Sequence, residues 1–168
     1  AQFAADVRSL AELGFLMPIG RPLDAHVPRT VAQAENAAKG FRKQLGRSSE
    51  PLPDLARTCD HLGLYSFVSR LGESGPDGGC VEVETNAGMA GVAVSNGDAD
   101  PGRRRMTLAH ELGHWLFGDA YDTGGTRETE KMINAFAIHF LAPRAGVQAL
   151  WSQHSDWNVR DRALEVGV

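Results

Sequence analysis

The sequence predicts an α+β domain in which helices pack around a small antiparallel three-stranded sheet. Two observations carry this. Apolar residues repeat at helical spacing in both the first and the last third of the chain, whereas the middle consists of short runs rich in Val and aromatic residues, punctuated by Gly, Asn and Pro. No internal repeat or low-complexity tract interrupts this order. A chain of 168 residues that is 42% hydrophobic suffices for one ordinary core.

Element by element, Phe3, Val7, Leu10 and Leu13 form a helical stripe that Gly14 stops, predicting a helix over 2–13. A linker with Pro18, Gly20, Pro22 and Pro28 follows. Thr30 is placed to cap a second helix whose stripe is Val31, Ala34, Ala38, Phe41 and Leu45, ending at Gly46. Pro53, in a first turn, opens a third helix carrying Leu55, Cys59 and Leu62, which Gly63 closes. Strands are expected at 64–69, 80–85 and 89–95. Long helices are expected at 103–117 and 126–141, separated by a Gly-rich loop, with weaker ones at 145–151 and 157–165. The domain organisation that results is an N-terminal helix and linker over 1–29, a main domain over 30–150 and a C-terminal helical extension over 151–168. A chain that opens on Ala1 and closes on Glu165-Val166-Gly167-Val168 reads as a piece of a longer protein.

Charge and cysteine usage narrow the function classes. With 17 Lys+Arg against 21 Asp+Glu, the net charge of -4 offers no global field for nucleic acid, so any DNA contact is local. No run of about 18 apolar residues is present to span a bilayer, and no signal-peptide pattern opens the chain, so no membrane partner is expected. Cys59 and Cys80 lack metal-type spacing and read as buried free thiols, favouring the cytoplasm.

The chemistry concentrates at His110-Glu111-Leu112-Gly113-His114. Residues four apart on a helix lie ~40° apart, so both imidazoles reach one ion, and zinc is the metal this pattern suits. Glu111 sits ~60° from His114, within reach of a water at the metal but poorly placed as a ligand, which is the position of a general base. Leu108, Leu112, Trp115 and Leu116 fall roughly 140–240° from His110 and form the packing face. Gly113, costing about 1 kcal/mol of helix stability relative to Ala, implies that another backbone approaches closely beside the histidines.

A catalytic zinc takes a third protein ligand. Phe117 and Ala120 stand where the extended motif would carry Gly and His, so a carboxylate from the following helix is the alternative, with His139 as a second candidate and a surface salt bridge as the other reading of Glu130. Glu130 shares a stripe with Asn134, Ala137 and Leu141, whereas Glu128 lies about 160° away and His139 near 180° away. Glu130 is therefore the expected ligand, small Ala137 permits close approach of the helices, and Asn134 is placed to hydrogen-bond a ligating histidine.

The segment Arg105-Met106-Thr107-Leu108-Ala109-His110-Glu111-Leu112-Gly113-His114, with Glu130, Asn134-Ala135-Phe136-Ala137 and Leu141-Ala142-Pro143, resembles the ImmA/IrrE metallopeptidase family. The resemblance implies a gluzincin-like core and a cytoplasmic zinc endopeptidase that cleaves a helix-turn-helix repressor and so derepresses genes. It also implies an N-terminal helix-turn-helix domain outside this chain, through which DNA would be contacted. The alternative is a zinc-containing regulator that binds a repressor without cutting it. Met106, Met132-Ile133 and Ala142 depart from the family's usual residues at packing positions.

Three further features stand beside the motif. Arg103, Arg104 and Arg105 open the active-site helix against its macrodipole. They read first as a solvated basic turn and second as a contact for a substrate carboxylate or DNA. Asp119, Tyr121 and Asp122 lie in a loop able to cover the cleft, with Tyr121 a candidate oxyanion donor. The strand at 92–94, directly before the active-site helix, is expected to present an edge to an extended substrate.

Overall fold

The computed structural model describes residues 2–21, 26–119 and 126–161. The elements run α1 (Gln2–Glu12), α2 (Val31–Gln44), α3 (Leu55–Asp60), β1 (Leu64–Ser69), β2 (Gly78–Thr85), β3 (Gly88–Asn96), α4 (Pro101–Phe117), α5 (Arg127–Leu141) and α6 (Arg144–Gln153). The architecture is α+β, as the alternation of periodicities predicts.

Local chemistry sets the helix ends. Thr30 caps α2 by accepting from the Gln33 N–H, and Asp54 caps α3 by accepting from Arg57. Pro53 therefore stands one residue before the cap rather than in the first turn. Asp100 caps α4 with Pro101 following it, which starts this helix two residues earlier than its apolar stripe alone indicates. Past α6, residues 159–161 are helical behind Asn158, whose side chain accepts from the Asp161 N–H; the rest of the helix expected at 157–165 lies outside the described residues.

The sheet is mixed rather than antiparallel, with order β1-β3-β2. β2 and β3 form the expected antiparallel hairpin, from Thr85 opposite Gly88 to Gly78 opposite Ser95. β1 instead runs parallel to β3, from Leu64 beside Gly91 to Ser69 beside Asn96. The cause lies in the connection from β1 to β2, which crosses the end of β3 and is pinned there. The buried Asn96 side chain accepts from the Leu71 N–H and donates to the Gly72 carbonyl, and Asp98 accepts from the Gly72 N–H. β3 thus inserts between its predecessors and becomes the central strand. This overturns the expectation that 92–94 offers an edge: the free edge beside α4 belongs to β2.

Each face of the sheet is covered. On one, Val7 of α1 packs with Val83, Ala90 and Val92, and Phe3 stacks on Phe67 at 4.6 Å. On the other, α4 seats Trp115 over Gly91, where an added Cβ would lie 2.7 Å from the indole; the indole N–H donates to the Leu62 carbonyl at 2.8 Å. The main core continues from there through α2 and α5. Fully buried Arg42 fastens α2 to the end of α5, donating to the carbonyls of Phe140, Ser48 and Glu50. Among the described residues no helix is long and apolar enough to cross a membrane.

Candidate metal centre

α4 and α5 pack so closely that a Cβ on Gly113 would stand 3.0 Å from Ile133 and 3.1 Å from Phe136. The close approach expected at Gly113 is thus made by α5 side chains, not by its backbone. This contact sets the register between the helices and brings Glu130 against the two histidines. The Nε2 atoms of His110 and His114 are 2.9 Å apart, and the Glu130 carboxylate oxygens lie 3.4 Å from His110 Nε2 and 3.6 Å from His114 Nε2. One atom from each of the three residues falls within 4.8 Å of the others.

The outer nitrogens are engaged as well. His110 Nδ1 lies 3.0 Å from Asn134 Oδ1, and His114 Nδ1 lies 2.9 Å from Asp119 Oδ1. Donation of both Nδ1 protons to these acceptors leaves two Nε2 lone pairs facing one another beside a carboxylate. Such an arrangement is repulsive on its own and is relieved by a cation. Ligands ~2.0–2.1 Å from a tetrahedral ion stand about 3.3–3.4 Å apart, so the donor set accepts a metal with only a slight parting of the imidazoles.

Glu111 stands apart from this cluster. It is buried at 8% exposure on the side of α4 that faces β2. Burial raises its carboxyl pKa, opposed by the His110 and His114 charges and by a hydrogen bond with Cys80. His114 is also raised: burial alone would lower it, but is outweighed by the hydrogen bond and charge of Asp119 and by the charges of Glu111 and Glu130.

The residues passed over as ligands lie elsewhere. His139 Nε2 is 3.9 Å from Glu35 of α2, and Glu128 lines a separate groove with His26, Arg29 and Gln33. Arg103 pairs with Asp77 at 2.7 Å and Arg105 donates to the Leu52 carbonyl, so these two hold structure together. Tyr121 and Asp122 lie outside the described residues. Sequence reasoning placed Asp119 only in a covering loop. Its signal was Gly118, which ends α4 in the left-handed conformation (φ 73°) and turns the next residue back over His114.

Over residues 59–167 the chain matches the family described as Peptidase_M78, the IrrE N-terminal-like domain. The chain belongs to this peptidase family. The matched segment takes in the whole sheet, α4, α5 and α6, and leaves out α1 and α2. No curated protein matches the chain. A metallopeptidase family and a His-His-Glu cluster able to hold a metal thus meet at the same helices.

Proposed function

We propose that this chain is a zinc-dependent endopeptidase in which His110, His114 and Glu130 hold the metal and Glu111 is the general base. The observation that carries the reading is the division of labour on α4: two histidines converge with Glu130, while the carboxylate between them is left beside the cluster. Zinc, when bound, supplies Lewis acidity to the scissile carbonyl and to the attacking water. Glu111 takes the proton from that water and returns it to the leaving amine. Asn134 and Asp119 keep the imidazoles in the tautomer whose Nε2 lone pairs point inward.

An extended substrate segment would dock along the outer edge of β2, whose other side is already paired with β3. The resemblance to the ImmA/IrrE pattern favours a helix-turn-helix repressor as the substrate, cut in the cytoplasm to derepress genes; the two free cysteines are compatible with that compartment. The test is to incubate the zinc-loaded protein with a helix-turn-helix repressor encoded beside it and search for a defined cut by mass spectrometry. A repressor that binds but stays intact with zinc present would replace this reading with that of a non-cleaving regulator.

A further inference from the structure

The linker between α1 and α2 lies outside the segment that matches the peptidase family, yet it reaches the metal centre. Its path follows three glycines. The Pro18 carbonyl passes 4.0 Å from where a Cβ on Gly88 would stand, and the Gly20 carbonyl lies 2.6 Å from the Cβ position of Gly63, itself 3.3 Å from the Trp115 indole. The chain thus crosses the end of the sheet, over the entry to β1, and arrives at the end of α4. There the Arg21 guanidinium takes the space that a side chain at 118 would need: a Cβ on Gly118 would stand 2.5 Å from its Nη1 and 2.7 Å from its Cζ. The same Nη1 donates to Glu82 Oε1 of β2 at 2.6 Å. One guanidinium therefore bridges the strand that borders the cleft and the C-cap of the helix that carries the histidines.

The turn that Arg21 covers is the one on which His114 depends. Gly118 turns the chain in the left-handed conformation, and Asp119 comes back to accept from His114 Nδ1 at 2.9 Å. Glycine enters that conformation without strain and leaves it as easily, so a brace from outside keeps the turn in one direction. Arg21 has two reasons to stay there. A cation is favoured at the carbonyl end of a helix, and Glu82, with a side chain 17% exposed, grips the guanidinium from the strand. A partly exposed ion pair adds little to the stability of a fold, so its effect falls on the direction of the turn.

We propose that Arg21 is a positioning residue for the metal centre, whose guanidinium, anchored on Glu82, braces the Gly118 turn so that Asp119 keeps its hold on His114. The inference rests on the reading of His110, His114 and Glu130 as zinc ligands. It brings a segment outside the family domain into the site. It also gives position 118 a second reason to be glycine, since any side chain there would displace Arg21.

Arg21→Met keeps much of the length of the side chain and removes its charge and its fork. Glu82→Ala releases Arg21 from the opposite side, and decides the matter if Arg21→Met does not fold. Either change should weaken zinc binding about tenfold, the low end for a group that orients a ligating histidine, as read by competition with a chromophoric chelator. The urea midpoint of the metal-free protein should stay near that of wild type. In an Asp119→Ala background Arg21→Met should cost nothing more, since the group it positions is gone. A spectroscopic readout is the exchange with water of the two imidazole Nδ1 protons, followed by NMR in the zinc-loaded protein. Arg21→Met should speed exchange at His114 and leave His110, held by Asn134, unchanged. Wild-type zinc affinity in both single variants, an equal loss with and without Asp119, a urea midpoint that falls in step with the affinity, or equal changes in exchange at both histidines would overturn the proposal. A wild type that binds no zinc overturns the ligand assignment instead. A zinc-loaded wild type that never cuts overturns the peptidase reading alone, because neither affinity nor proton exchange depends on cleavage.

Discussion

His110 and His114 present one nitrogen to the cluster and the other to a fixed acceptor, so the affinity of the site depends on residues that never touch the metal. Glu130→Ala removes the proposed third ligand and should abolish tight zinc binding, whereas Glu128→Ala, altered in a separate groove, should leave it intact. Asp119→Ala should fall between, losing roughly 10–100-fold because the His114 ring is no longer oriented. Competition with a chromophoric chelator ranks the three, and equal affinities for Glu130→Ala and wild type would remove Glu130 from the site. These residues were unequally legible in the sequence. Two histidines four apart share a helix face by geometry alone, and Glu130 was preferred over Glu128 because it shares a stripe with Asn134 and small Ala137. Asp119 depends on a backbone turn at Gly118, and the approach of Gly78 to Thr107 on a strand packing against a helix. Neither spacing nor periodicity encodes such contacts.

Glu111 is only as well placed as the seat of α4 on the sheet, and Gly91 controls that seat. A Cβ there would meet the Trp115 indole at 2.7 Å and Leu64 at 2.8 Å, both buried side chains with no room to withdraw. Gly91→Ala should therefore destabilise the fold by about 1–3 kcal/mol, read from urea unfolding, despite the better strand propensity of Ala. Between α2 and α6, Glu35 is gripped by Lys39 at 2.9 Å and Arg144 at 3.3 Å, which hold its carboxyl at about 2, below its ordinary 4.5. A depressed carboxylate stabilises above its unfolded value and loses that contribution as pH falls. The urea midpoints of wild type and Glu35→Gln should thus differ at neutral pH and converge between 4.5 and about 2. Element positions were largely legible, since caps and helical stripes are local signals. The parallel pairing of β1 with β3 was not, because it is set by side chains of Asn96 and Asp98 gripping a loop far away in sequence.

Taken as a whole, the molecule is a sheet with α1 on one face and α4 on the other, and its active helix runs beside an edge strand. An extended substrate bound to that edge should slow amide hydrogen exchange in residues 78–85, while β3, paired on both sides already, should change little. Protection appearing only outside β2 would place the substrate elsewhere. The central claim is that the cluster on α4 and α5 performs peptide hydrolysis with Glu111 as its base, and substitution of that base tests it most directly. Glu111→Gln keeps size and polarity, so zinc content and partner binding should match wild type. Cleavage of the proposed helix-turn-helix repressor substrate should fall by roughly 10²–10⁴-fold. Cleavage by Glu111→Gln at the wild-type rate, with zinc bound, would contradict the account.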